Sequence, residues 1–137
     1  MKTAVLYADI TQKATAKALA SALATGIQKQ GADCDLIDVK RDSDTRIAMY
    51  QYIAIVATPT TLWGGRIDPA VSAFLKQNGS VAGKRCSAFV SKNSIRKTKT
   101  LQALFKVMEQ EGMYLTYSDI LTSPSQAQVS GTHLKLT

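Results

Sequence analysis

The chain has 137 residues and a formal net charge of +7, with 17 lysine and arginine residues against 10 aspartate and glutamate residues. This length fits one domain of about 100 to 200 residues, so we expect no second folded domain. Its apolar runs are far shorter than the roughly 20 residues that span a bilayer, and residues 1–3 lead directly into a strand pattern without a signal peptide, so we expect a cytoplasmic protein with no integral membrane segment.

Strand and helix patterns alternate through the first half of the chain. Short apolar runs predict strands, the third of them apolar on both faces as a central parallel strand should be. Apolar positions three and four residues apart predict the first helix, and Gly31 ends it. The predicted strands are 4–7, 34–39 and 52–57, and the predicted helices are 15–30 and 42–50.

The second half of the chain continues the alternation. Asp68 and Pro69 are typical of a helix cap followed by proline at the first helical position. The predicted helices are 70–77 and 98–111, and the predicted strands are 86–91 and 114–121. We therefore expect one α/β domain over 1–122 and a polar, irregular C-terminal tail over 123–137.

Alternating strands and helices predict a doubly wound parallel sheet with right-handed crossovers, and we expect the strand order 2-1-3-4-5. Handedness then places the first helix alone on one face and the other three helices opposite. Without a fifth helix, apolar surface of strands three to five remains uncovered. We therefore expect a homodimer, a tail that folds back, or a missing partner domain.

The sequence contains two cysteines and one histidine, too few for most cysteine- or histidine-based sites. Strands two and four lie three spacings apart, about 14 Å, so Cys34 and Cys86 cannot form a disulfide. Their separation in sequence also excludes a paired metal motif. His133 is the only histidine, so we predict neither a catalytic triad nor a metal site.

Ligands of open parallel sheets bind at the carboxyl ends of the strands, near the point where strand order reverses. Three loops arrive there, at 8–15, 58–65 and 91–94. The second loop contains Thr58-Pro59-Thr60 and Trp63-Gly64-Gly65. Together with Leu6-Tyr7 and a threonine-containing first loop, it resembles the flavodoxin family over residues 2–121.

This resemblance implies a flavodoxin-like fold that binds FMN. Trp63 would stack on the flavin, and the residues around it would shape the wall; alternatively, this tryptophan is a loop anchor packed on the sheet. The implied cofactor-binding residues are Thr11, Gln12, Lys13, Thr15, Thr58, Pro59, Thr60, Thr61, Leu62, Trp63, Gly64, Ser91 and Asn93.

The first loop departs from the family pattern. Flavodoxins hold the FMN phosphate with hydroxyl groups and a glycine at a helix N-terminus, where the helix dipole favours an anion. Here the glycine is absent, and Asp9 stands where a hydroxyl belongs. Lys13 can offset that charge, or Asp9 can cap the helix. Phosphate binding and a degenerate loop without flavin both stay open.

The third loop leads into four cations, Lys92, Arg96, Lys97 and Lys99. They form either a solvated surface or a site for an anionic partner. Residues 87–93 and the basic charge are also similar to the FMN-dependent protoporphyrinogen oxidases. The long insertion near the fifth strand of those enzymes is absent, which puts that activity in doubt.

Other functions of this fold lack their motifs. A response regulator needs an aspartate after the third strand, where this chain has Thr58, and residues 79–84 are one residue short of a P-loop. No nucleic-acid-binding motif is present either.

The sequence therefore predicts FMN-dependent electron transfer, or oxidation-reduction of a small anionic substrate. An electron carrier with this charge would dock an acidic redox protein. The alternative is a scaffold that has lost FMN and acts as an interaction module through its uncovered sheet face.

Overall fold

The computed structural model describes residues 1–8, 15–59, 65–78, 81–92 and 97–137. Within these ranges the chain forms five strands and four helices. They are β1 (Lys2–Ala8), α1 (Thr15–Gln28), β2 (Asp33–Asp38), β3 (Tyr52–Ala57), α2 (Pro69–Gln77), β4 (Arg85–Ser91), α3 (Lys97–Gln110), β5 (Tyr114–Leu121) and α4 (Pro124–His133).

The five strands form one parallel sheet in the order β2-β1-β3-β4-β5, which confirms the predicted fold class and strand order. β3 is buried along its whole length, as expected for a central strand whose residues are apolar on both faces. The pairing of β4 with β5 shifts between Cys86 and Ser87. Such a bulge increases the local twist at this edge of the sheet.

Two helices cover each face of the sheet. The side chains of Leu19, Leu23 and Ile27 lie four residues apart on α1 and pack with Ala127 of α4 on one face. α2 and α3 pack on the opposite face, where Leu104 of α3 joins the core. The prediction that the first helix lies opposite the helices at 70–77 and 98–111 is confirmed.

The predicted helix over 42–50 is wrong. This segment is a series of turns after β2, closed by side chains that bond to nearby backbone. Asp38 Oδ1 accepts hydrogen bonds from the backbone N–H groups of Lys40 and Arg41, and Asp42 Oδ2 accepts one from Asp38 N. Aspartate favours such local bonds, and they compete with the hydrogen bonds of a helix.

The prediction of an irregular tail is also wrong. Residues 124–133 form α4, which is the helix that we expected to be missing after the fifth strand. Ser123 caps this helix, its Oγ accepting a hydrogen bond from Gln126 N at 3.1 Å, and Pro124 occupies the first turn. Proline suits this position because its fixed φ matches the helix and it lacks an N–H that would need a partner.

α4 lies very close to α1, and two glycines form the contact. A Cβ added to Gly131 would lie 2.4 Å from Leu23 O, and one added to Gly26 would lie 2.1 Å from Gln128 O. The Gln30 side chain continues the contact, donating from Nε2 to Gly131 O at 2.7 Å. Only glycine at both positions permits this approach of the two backbones.

The face that we expected to be uncovered is therefore closed by the tail folding back. Tyr52, Val56, Phe89 and Leu121 are buried on it. The homodimer stays a prediction, but the uncovered apolar face on which it was based is not present.

Two further expectations concerned the cysteines and membrane-spanning helices. Cys34 and Cys86 are unpaired, and β1 and β3 separate their strands, as predicted. None of the helices in the described ranges has the length and apolar character needed to cross a membrane.

Candidate functional site

Three strands end together at the carboxyl edge of the sheet. Ala8 of β1 pairs with Ala57 of β3, and Ala57 pairs with Val90 of β4. The chain segments that follow these strands therefore leave from one edge, where ligands of open parallel sheets bind. This confirms the predicted origin of the three loops.

The N-terminus of α1 reaches this edge after the first loop. Thr15, a predicted cofactor residue, is its first residue and is half-buried, and its first turn contains no acidic residue. Partial positive charge at this end of a helix favours an anion. Of the remaining first-loop residues that we singled out, Asp9, Thr11, Gln12 and Lys13 lie outside the described residues.

The second loop is held at its base. Thr58 and Pro59 are half-buried, and Pro59 forms an antiparallel bridge with Ile67. Gly65 adopts φ of +87°, a left-handed conformation that glycine adopts without strain. The predicted residues between these points, Thr60, Thr61, Leu62, Trp63 and Gly64, lie outside the described residues.

Thr100 links this loop to α3, and the sequence reasoning missed it. Its Oγ1 accepts a hydrogen bond of 2.8 Å from Gly65 N, and the residue is fully buried. One signal was present in the sequence. Thr100, Leu104 and Met108 share one helical phase, and this spacing places a hydroxyl in the buried stripe, where it needs a partner.

Ser91, the last residue of β4, carries an unsatisfied hydroxyl. It is 1% exposed, and its Oγ has no hydrogen-bond partner among the described residues. Side chains alternate along a strand, so Ser91 lies on the same face as Phe89, which packs with α1. A buried hydroxyl without a partner is uncommon in folded proteins, so we expect its partner to lie outside the described residues. Asn93 lies outside the described residues.

Cations line the side of the edge where α3 begins. Lys92, Lys97 and Lys99 are exposed, as is Arg66, which follows Gly65 and was not predicted. A Cβ added to Gly65 would lie 3.8 Å from the Lys99 Cβ, so α3 directly adjoins the second loop. The structure thus brings three of the predicted cations to one side of the site, and Arg96 lies outside the described residues.

The two thiols offer no nucleophile at neutral pH. Burial raises the pKa of Cys86 to about 12. Burial also raises the pKa of Cys34, and the charge of Asp35 adds to this, while a hydrogen bond with Thr3 opposes it. The thiolate is the reactive form, so neither cysteine is activated.

No protein-family model matches the sequence, and no curated protein matches it either.

Solved structures share the fold. An archaeal flavodoxin superposes with a TM-score of 0.72 at 17% identity, covering 96% of this chain and 94% of its own. Flavodoxin 1 from Bacillus cereus gives a TM-score of 0.73 at 16% identity over 98% and 100% of the two chains. An NAD(P)H:quinone oxidoreductase from Methanothermobacter marburgensis gives 0.68 at 12% identity over 98% and 99%. The chain therefore has a flavodoxin-like fold.

Proposed function

We propose that the protein binds FMN at the carboxyl edge of the sheet and transfers electrons through it. The observation that carries this proposal is the buried hydroxyl of Ser91, which has no hydrogen-bond partner among the described residues. It lies at the end of β4, which pairs with β3, the strand that the second loop follows. A ligand that bonds to this hydroxyl would remove the cost of leaving it buried and unpaired.

The N-terminus of α1 suits the phosphate of a flavin nucleotide, and the anchored second loop suits its ring. The first turn of α1 carries no acidic residue, so its dipole can stabilise a phosphate dianion, and Thr15 offers a hydroxyl at the same point. Pro59 and Thr100 fix the two ends of the second loop, which would hold Trp63 against the ring. FMN, when bound, supplies the redox chemistry, while the protein orients it and sets its electrostatic environment.

The neighbours support the same function. Two are flavodoxins and one is an NAD(P)H:quinone oxidoreductase, so this fold carries redox proteins in other chains. The alternative, an interaction module without FMN, would have acted through an uncovered sheet face, and α4 covers that face. Asp9, which also favoured that alternative, lies outside the described residues. A porphyrin substrate, implied by the likeness of residues 87–93 to protoporphyrinogen oxidases, stays a prediction.

The first test is FMN titration of the purified protein, followed by flavin absorbance and Trp63 fluorescence. We expect saturable binding, with tryptophan quenching if its ring stacks on the flavin. A colourless protein whose fluorescence does not change up to millimolar FMN would contradict the proposal.

Ser91→Ala tests the observation directly, and β4 provides a matched control. Ser87 lies four residues earlier on the same face and is equally buried, but it lies away from the carboxyl end of β4. We expect Ser91→Ala to weaken FMN binding about five- to tenfold, the effect of one lost hydrogen bond, and Ser87→Ala to leave the Kd unchanged. Equal Kd values in both variants would remove Ser91 from the site.

A further inference from the structure

The charges of the chain are strongly segregated. Residues 69–108 contain eight lysine and arginine residues and no aspartate or glutamate, whereas residues 33–44 contain five of the ten acidic residues. The first stretch forms α2, β4 and most of α3, and the second forms β2 and the turns after it. Along the chain, the net positive charge therefore comes from the stretch that forms α2, β4 and most of α3.

We call four exposed lysines the α3 basic surface: Lys99 and Lys106 on α3, Lys97 at its first residue, and Lys92 directly after β4. Within the described ranges, the ion pairs are Lys40 with Asp68 and Arg41 with Asp42, and none of the four lysines forms one with a described residue. Lys84 and Arg85 differ, because Lys84 bonds to backbone carbonyls and Arg85 lies over the Tyr114 ring.

The shape of this surface suits a macromolecule better than a small ligand. Lys99 and Lys106 are two helical turns apart, about 10 Å along α3, and lie opposite the buried stripe of Thr100, Leu104 and Met108. They therefore project from the outer side of a helix, whereas small-molecule sites are concave. Exposed like charges on the outer side of a helix are typical of a surface that attracts an oppositely charged protein.

The surface also adjoins the candidate flavin site. Lys99 packs beside Gly65, and Thr100 bonds to Gly65 N, so the start of α3 and the second loop are one continuous region. A protein docked on α3 would reach the edge of the sheet where we place the flavin.

We propose that the α3 basic surface docks an acidic redox protein at the edge of the flavin site. This inference rests on the proposed function for its purpose, but the docking itself does not require FMN. The attraction between the two surfaces would raise the association rate, and salt would weaken it.

The experiment measures binding of a fluorescently labelled plant-type ferredoxin, an acidic redox protein, by anisotropy at low and high ionic strength. The test variant is Lys97→Glu with Lys99→Glu. Glutamate in the first turn of a helix complements the dipole, so this variant should fold. The control, Lys29→Glu with Lys135→Glu, makes the same change in net charge at exposed positions outside the α3 basic surface.

We expect the test variant to bind the probe at least about tenfold more weakly at low salt, the control to change little, and high salt to remove the difference. Equal losses in the two variants would show that only net charge matters and would overturn the proposal. Binding of a labelled single-stranded oligonucleotide or of a carboxylated porphyrin by the same lysines, without ferredoxin binding, would overturn it as well.

The same preparations are measured with and without FMN, which separates the two proposals. Salt-dependent ferredoxin binding by a protein that does not bind FMN would reject the flavin and retain the docking surface. FMN binding without any response to the lysine variants would retain the flavin and reject the docking surface.

Discussion

Both faces of the sheet have an apolar core, but the contacts that supplement it differ. On one face, α1 and α4 meet through the backbones of Gly26 and Gly131, with no space for a Cβ at either position. On the other face, α2 and the turns after β2 are tied by polar side chains, with Lys40 paired to Asp68 and Tyr50 bonded to Asp35.

The two kinds of contact respond differently to mutation, pH and salt. Close backbone packing does not depend on pH or salt, but it tolerates no added atom. Polar contacts near the surface tolerate substitution at modest cost and respond to protonation. We therefore expect the α1 and α4 face to determine tolerance to mutation, and the opposite face to determine the pH dependence of stability.

The largest expected effect is that of Gly131→Ala. The new methyl group would meet Leu23 O, so the helices must separate, and we expect the free energy of unfolding to fall by about 3 kcal/mol. Urea denaturation measures this. Ser130→Ala, one position earlier on α4, serves as the control and should change stability by less than about 1 kcal/mol. Equal stability of Gly131→Ala and the wild type would show that α4 is not held by this contact.

Tyr50 should give a smaller effect that depends on pH. Burial, followed by the hydrogen bond to Asp35 and the charge of that carboxylate, raises the pKa of Tyr50 to about 12. The protonated form is thus favoured in the folded state, so its contribution is complete below the unfolded pKa of about 10 and is lost as the pH rises towards 12.

Tyr50→Phe should therefore lower stability by about 1 kcal/mol at neutral pH and reduce the alkaline loss. Thermal unfolding at pH values from 8 to 12 measures both effects. Some alkaline loss should remain, because the pKa of Cys86 is also raised to about 12. An unchanged alkaline profile in Tyr50→Phe would contradict this assignment.

The smallest expected effect is at Asp68. Burial raises the pKa of this carboxyl, but hydrogen bonds from Lys40 and Ala70 N outweigh it, and the net pKa is lowered. The stabilisation is therefore present above the unfolded pKa of about 3.9 and is lost as the pH falls through the folded value.

Asp68→Asn keeps a residue that caps helices but removes the charge, so we expect a loss of about 0.5 to 1 kcal/mol at pH 7 and a flatter profile below pH 4. Asp68→Ala removes the cap as well and should cost more. If the two variants unfold with the same midpoint at pH 7, the hydrogen bond to Ala70 N contributes nothing.

The accuracy of the sequence predictions followed the strength of each pattern. Residues 52–57 and 114–121 were predicted to the residue. The first is an uninterrupted apolar run, and the second is rich in the aromatic and β-branched residues that favour strands. α4 was missed because its inward residues include Ala127 and Gly131, which form no apolar stripe. Its one local signal was Ser123-Pro124 with Gln126, a cap pattern.

For the candidate site, the sequence predicted the three loops at one edge and three of the cations beside it. It also singled out Ser91, but it could not predict that the hydroxyl is buried and unpartnered, since this depends on how β4 ends against α1. The hydrogen bond from Gly65 N to Thr100 Oγ1 could not be predicted either, because the two residues are 35 positions apart in the chain.

By itself, the sequence determined the doubly wound sheet, its strand order and the edge at which a ligand would bind, because hydrophobic periodicity and crossover handedness act on short segments. Only the tertiary structure decided that the tail closes the second face and that Lys99, near the start of α3, adjoins Gly65 at the end of the second loop. Both depend on contacts between distant segments, such as Gly26 with Gly131 and Gly65 with Lys99, and no local pattern specifies which residues will meet.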